Sequence, residues 1–244
     1  MKTINQDLAI VYDVFAQVLE QSGSPADVNL PVFSFEGLPG AGKTTQIEHV
    51  SAYLEAEFGK SHFIDLPTDS PIGLLLKSLY QDPLRWKQIC TTAPWLNGLL
   101  ITIDFRMALA RASFEGARFA LMSRGILSTY YYNWPMFRDF CRDDDHAWSA
   151  LTQTLRGFVN PSAILFFELS PDVAHQRVAK RARGPLRKMD QVENMVSDRR
   201  AFEQLLNNVA ADIPVYYINS DQSERAVTVE AGQLLGDIIR AWRQ

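Results

Sequence analysis

The stretch Val32-Phe33-Ser34-Phe35-Glu36-Gly37-Leu38-Pro39-Gly40-Ala41-Gly42-Lys43-Thr44-Thr45 decides the fold. Residues 32–36 form a short, mainly apolar segment with Val32, Phe33 and Phe35 that ends at a glycine and reads as a strand. The spacing Gly37-x-x-x-x-Gly42-Lys43-Thr44 then lets consecutive backbone N–H groups face inward, and glycines leave the approach open. Ile47, Val50, Leu54 and Phe58 follow at helical spacing, and the pattern stops at Gly59. Strand, glycine-rich turn and helix together place a phosphate at a helix N-terminus. Gly37, Gly40, Ala41, Gly42, Lys43, Thr44 and Thr45 are the expected phosphate contacts. Lys43 is a point charge for the β/γ-phosphates of ATP, and the Thr44 hydroxyl is suited to ligate Mg²⁺. An ordinary glycine-rich turn does not explain why a lysine and two threonines follow it.

Outward from this loop, short apolar runs alternate with longer helical patterns, which signals a parallel sheet with crossover helices. Further strands are expected near 62–65, 118–123, 163–168 and 214–218. Ser70 and Pro71 read as an N-cap and first-turn proline opening a helix to about Tyr80. Other helices are expected over about 95–115, through most of 126–157, from Ser170-Pro171 towards Gly184, and over 191–209 and 224–242. Upstream, Leu8, Val11, Phe15 and Val18 share a helical face, so residues 1–30 read as an amphipathic helical extension and 31–244 as the main domain.

Composition narrows the classes. With 244 residues and 47% hydrophobic content the chain can bury one substantial core. A formal charge of -4 supplies no global positive field, so neither a nucleic-acid duplex nor a membrane surface is an expected partner and phosphate binding must be local. Cys90 and Cys141 lie far apart without metal-ligand spacing, and no run reaches membrane-spanning length; a cytoplasmic setting is expected. His49, His62, His146 and His175 are scattered, and Asp143-Asp144-Asp145 reads as a solvated helix start.

From about Val32 to the C-terminus the sequence resembles the thymidylate kinase family. Phe35-Glu36-Gly37 through Thr45 resembles its strand and phosphate loop, and Pro67-Thr68-Asp69-Ser70-Pro71-Ile72-Gly73 parallels its Pro-Gly-Gly-Thr-Pro-x-Gly segment. After the third strand, the family pattern Asp-Arg-Tyr-x-x-Ser-x-x-Ala-Tyr-Gln is matched at Arg124, Ser128 and Tyr132. The resemblance implies a three-layer α/β P-loop kinase fold, with a five-stranded parallel sheet in the order 2-3-1-4-5 and a lid over about 178–192. It also implies transfer of the γ-phosphoryl of Mg-ATP to a nucleoside monophosphate, and a homodimer. Arg106 and Arg124 would hold the acceptor phosphate, with Asp65, Ser128 and Tyr132 completing that side; Asp65 is also a candidate near Mg²⁺. Lys43, Arg124, Arg181 and Arg183 are the expected catalytic cations, since Gly40 leaves the loop without an arginine. Asn219-Ser220-Asp221 falls where related kinases edge the adenine.

Four positions depart from the family. Its acidic residue inside the loop is Pro39 here, its Arg-Glu before the proline is Asp65-Leu66, its aspartate before Arg124 is Ser123, and its thymine-stacking phenylalanine is Thr102. Tyr130, Tyr131, Tyr132 and Trp134 supply other aromatic surface. The expectation is a kinase for dTMP or a modified or related deoxynucleoside monophosphate. A kinase for a deoxynucleoside or another small acceptor, and a nucleotide-binding protein without turnover, are the alternatives.

Overall fold

The computed structural model describes residues 30–181 and 190–242. The expected N-terminal extension lies outside these residues apart from Leu30, as do residues 182–189 of the expected lid, Arg183 among them. Five strands, β1 (Val32–Gly37), β2 (Ser61–Asp65), β3 (Phe119–Ser123), β4 (Ala163–Glu168) and β5 (Val215–Asn219), form one sheet in the order β2-β3-β1-β4-β5. All pairings are parallel, so the topology is that of the P-loop kinases. Strands β1 and β3 are buried throughout and β4 all but its last residue, which explains their largely apolar composition, with Ser34 and Glu36 as buried polar exceptions in β1; the edge strands β2 and β5 are only partly covered.

Among the described residues the helices are α1 (Lys43–Phe58), α2 (Pro71–Tyr80), α3 (Pro83–Thr92), α4 (Trp95–Phe114), α5 (Ile126–Phe140), α6 (Asp144–Leu155), α7 (Pro171–Lys180), α8 (Val192–Val209) and α9 (Glu224–Trp242). They fall into two compact units. The first, Leu30–Asp65, Gly116–Tyr131 and the chain from Asn160 onward, holds the sheet. Side chains alternate along its strands. Phe33, Phe35, Leu165 and Phe167 pack with Ile47, Val50 and Leu54 of α1 and Ala231, Leu235 and Ile239 of α9. Phe166 faces the other way, edge-on to Phe202 of α8, which in turn stacks on Tyr131.

The second unit, Leu66–Glu115 and Tyr132–Val159, is helical. Its α4 packs against α2 and α6, and Phe105 stacks on Phe158 with ring centroids 4.2 Å apart. The stretch 126–157, read as mostly helical, forms α5 and α6, and the acidic run starts α6 as read: Asp143 caps it, accepting a hydrogen bond from the His146 N–H. One detail differs from the sequence reading. Helix α3 was not anticipated: Asp82 caps it and Pro83 starts it, yet none of its residues is buried, so it carries no apolar period to read. No helix among the described residues is long and apolar enough to cross a membrane.

Candidate functional site

The carboxyl ends of the strands carry the site. Directly after β1 the chain turns through Gly40 and Gly42, both with φ in the left-handed region, at 88° and 85°. A Cβ on Gly40 would lie 2.6 Å from the Ala174 carbonyl oxygen, so a side chain there is excluded by backbone. Gly42 is the N-cap of α1, and a Cβ there would meet nothing within 4 Å, so the space in front of the helix is open. No side chain caps α1 and no acidic residue stands in its first turn. Its first N–H groups therefore face that space with the positive end of the helix dipole behind them, which suits a phosphate and nothing apolar.

Lys43 folds back over the loop, donating from Nζ to the carbonyls of Gly37 at 2.8 Å and Leu38 at 2.9 Å. Its pKa is lowered to about 7 by loss of water and then by the charges of Arg124 and Arg181, against the opposing pull of Glu36. Three cations thus act on one small volume. A polyphosphate is the ligand that relieves this repulsion.

Glu36 is the buried counterweight. Its carboxylate accepts from the N–H groups of Leu127 and Ser128 at the start of α5 and from the hydroxyls of Ser128, at 2.6 Å, and Ser34. Burial raises its pKa despite the opposing Ser128 bonds and Lys43 charge. Gly125 makes room for this arrangement, since a Cβ there would overlap Ser34 Oγ. Ser128, expected to contact the acceptor, is 4% exposed and directs its hydroxyl to Glu36.

Directly after β3 comes Arg124, with φ 65°, the one non-glycine residue at positive φ among those described. Its side chain is exposed while its N–H is held by the Phe35 carbonyl. Such a backbone costs about 1–2 kcal/mol and is kept where the side chain's placement matters. Arg124→Gly is therefore expected to be neutral or stabilising by up to about 1 kcal/mol in thermal melts. The same variant is expected to lose phosphoryl transfer. A clear fall in melting temperature would mean that contacts of the Arg124 side chain stabilise the fold by more than the strained backbone costs.

The loop continues into a cavity of about 370 Å³, within the usual range for a small-ligand site, lined by Gly40, Gly42, Gln46, Arg177, Arg181 and Ser220 among others. Arg177 on α7 donates to the Ser220 carbonyl at 2.9 Å and lies 3.7 Å from the Asp221 carboxylate. Lys180 and Arg181 stand at the same wall. A larger and shallower depression of about 650 Å³, bordered by Arg225, Val229 and Leu234, has no glycine turn in its wall.

This donor set fits Mg-ATP: open helix N–H groups and converging cations for the phosphates, with the exposed Thr44 hydroxyl at the helix start for the metal. Asp65 ends β2 in register with Ser123, so the strand pairing sets its carboxylate beside the position that lacks the family's aspartate. Among the described residues no cluster of His, Cys, Asp and Glu could hold a metal unaided.

In the helical unit, Arg106 on α4 donates from Nε to the Gly157 carbonyl at 2.7 Å. Thr102 is wholly buried with its hydroxyl bonded to the Gly98 carbonyl, so it presents nothing to a ligand. Tyr132 is 38% exposed. Sequence reasoning missed Asp104. This carboxylate is completely buried and accepts from the Thr68 N–H at 2.7 Å and from the Thr68 and Ser70 hydroxyls. Ser70 Oγ also accepts from the Gly73 N–H, capping α2. The signal was present: Asp104 is the single charge on the apolar face that carries Ile101, Phe105 and Ala108.

A family model described as thymidylate kinase matches residues 35–231, more than half of the chain and all five strands but the start of the first.

Proposed function

Because the chain belongs to the thymidylate kinase family and is by that membership a nucleotide kinase, we propose that it moves the γ-phosphoryl of Mg-ATP to a nucleoside monophosphate, dTMP or a modified or related deoxynucleoside monophosphate. The observation that carries this reading is the open N-terminus of α1 behind the glycine turn, with Lys43 folded over the loop carbonyls and Arg181 in the wall of the adjoining cavity. Transfer brings two polyanions together, and preorganised cations offset their repulsion where charge spreads over the equatorial oxygens. Lys43 and the loop N–H groups hold the donor phosphates. Arg124 and Arg181 neutralise the transferring group, with Arg183 assigned the same task from sequence alone. Mg²⁺, held through Thr44 and the phosphates with Asp65 as a further candidate, supplies charge neutralisation at the β/γ oxygens.

On the acceptor side, Arg106 is assigned the acceptor phosphate, with Tyr132 beside the nucleoside; Ser128 acts through Glu36 rather than by direct contact. Arg106→Ala is expected to raise the acceptor KM at least about tenfold and leave the KM for ATP within about twofold, as loss of one charge-assisted contact does. Steady-state kinetics with each substrate varied in turn checks this; equal effects on both KM values would remove Arg106 from the acceptor site. A homodimer in the cytoplasm is the proposed setting.

Buried Thr102, together with Ser123, Pro39 and Leu66, favours a second reading in which the acceptor is a deoxynucleoside or another small molecule. Purified protein incubated with Mg-ATP and each common nucleoside monophosphate, with ADP and diphosphate product measured, separates the two. Reaction of dTMP or a close analogue is expected. If all monophosphates fail and a nucleoside reacts, the second reading replaces the first; ATP binding with no transfer to any acceptor leaves a nucleotide-binding protein without turnover.

A further inference from the structure

Glu36 carries the last side chain of β1 before the phosphate loop, and its wholly buried carboxylate bonds to a different element. Helix α5 begins at Ile126 and, like any helix, leaves its first N–H groups without intrahelical acceptors. The residue before it, Gly125, has no side chain to cap them. Glu36 reaches across from β1 instead. Its Oε1 accepts from the N–H groups of Leu127 at 3.1 Å and Ser128 at 3.3 Å, and its Oε2 from the Ser128 hydroxyl at 2.6 Å. The Ser34 hydroxyl is a fourth donor, so the carboxylate is well satisfied and lies at the positive end of the helix. Gly125 permits the approach: its Cβ would overlap Ser34 Oγ and stand 3.3 Å from Glu36 Oε1. A carboxylate is costly to bury, and a serine or aspartate next to a helix start is the ordinary cap. A buried charge sent from another strand calls for a reason beyond capping.

That reason lies in Arg124. Its backbone stands at φ 65°, and such strain persists only where the surrounding structure over-determines it. Strand β1 supplies two contacts that do so. The Phe35 carbonyl accepts from the Arg124 N–H at 3.2 Å, and Glu36 fixes the helical turn that begins two residues later. One residue further along β1, the Gly37 carbonyl accepts from Lys43 Nζ at 2.8 Å. Residues 35–37 thus hold the backbone of one cation and the side chain of another. We infer that Glu36 is a positioning residue of the transfer step, its carboxylate clamping the first turn of α5 to β1 and so holding Arg124 in a fixed place relative to Lys43 and the phosphate loop. The inference rests on the reading of Arg124 as a cation that neutralises the transferring phosphoryl group. What matters in Glu36 is then its reach to α5, more than its charge.

The test is a double-mutant cycle on kcat for transfer from Mg-ATP to dTMP or the related monophosphate that reacts fastest, with the Kd for Mg-ATP measured by calorimetric titration. Glu36→Asp keeps the negative charge but ends one methylene short of α5. Arg124→Ala removes the guanidinium and leaves the strained backbone. Glu36→Asp alone is expected to lower kcat about ten- to a hundredfold, the scale of a small misplacement, and to leave the Kd for Mg-ATP within about twofold. In the Arg124→Ala background the same substitution should lower kcat by less than about twofold, because the group it positions is gone. Glu36→Gln keeps the reach and an oxygen for the two N–H groups, so it should lose no more than about threefold in kcat. Unchanged kcat in Glu36→Asp overturns the inference. So does a loss that is equally large in the Arg124→Ala background, which marks a general loosening of the fold, and so does a fall in Glu36→Gln as deep as in Glu36→Asp, which marks charge rather than reach. If Arg124→Ala transfers at the wild-type rate, or the wild-type protein transfers to no monophosphate, the reading of Arg124 falls and takes the inference with it, an outcome distinct from Arg124-dependent transfer that ignores Glu36.

Discussion

Lys43→Ala is expected to reduce phosphoryl transfer by at least about a thousandfold, the scale set by removing a preorganised charge from a transition state. Nothing else among the described residues can substitute, because Arg124 and Arg181 reach the site from other segments while Lys43 alone closes over the loop carbonyls of Gly37 and Leu38. The same lysine weakens the ligand-free fold. Its pKa falls from 10.5 to about 7, so the folded state holds the proton less well than the unfolded chain. Below pH 7 both states are charged and the full penalty applies; between about 7 and 10.5 the folded lysine is neutral and the penalty shrinks as pH rises. A Lys43→Met variant, which keeps the apolar stem, should therefore be more thermostable than the parent at pH 6, with the advantage fading towards pH 10. Nucleotide should stabilise the parent far more than the variant, since the phosphates restore the reason for the charge. Melting curves at several pH values with and without ATP check both signs, and a variant that is less stable at pH 6 would contradict the account of a lysine held charged against loss of water and neighbouring cations.

The second large effect belongs to the helical unit. Asp104→Ala is expected to destabilise the protein by about 3 kcal/mol in urea unfolding, a large fraction of an ordinary domain's stability. The carboxylate gathers three donors from the segment 68–70, and deleting it strands the Thr68 N–H and two hydroxyls at once. It also loosens Ser70, whose oxygen caps α2. Asp104→Asn keeps the shape but turns one acceptor into a donor, so an intermediate loss of about 1–2 kcal/mol is expected. A loss below about 1 kcal/mol for the alanine variant would show that water replaces the carboxylate and that the segment does not depend on it.

How much of this was legible in the sequence follows from the range of each interaction. The phosphate loop was readable because its chemistry is local: glycines, lysine and threonines act within nine residues, Gly37 to Thr45, and strand and helix adjoin them. The sheet was readable because strands covered on both faces leave mainly apolar runs, as in residues 163–167. Helix α3 was not, since it buries nothing. The Asp104 network joins residues 36 apart, and the hydrogen bond from Arg177 to the Ser220 carbonyl joins residues 43 apart. Pairings between distant segments leave no period or spacing to find. Ser128 illustrates the same limit: its place in the chain matched a family position, while its partner, Glu36, lies 92 residues away.

Pro39, Leu66 and Ser123 stand where the family carries carboxylates, whereas the phosphate loop keeps its glycines and its lysine. Donor binding and transfer are thus the central claim. The most direct measurement follows the label from γ-labelled Mg-ATP in a single turnover with excess protein and dTMP or its closest reactive analogue. The account expects the label in nucleoside diphosphate, matched one for one by ADP. Label recovered only as inorganic phosphate, or retained in ATP that is bound but never cleaved, would contradict it.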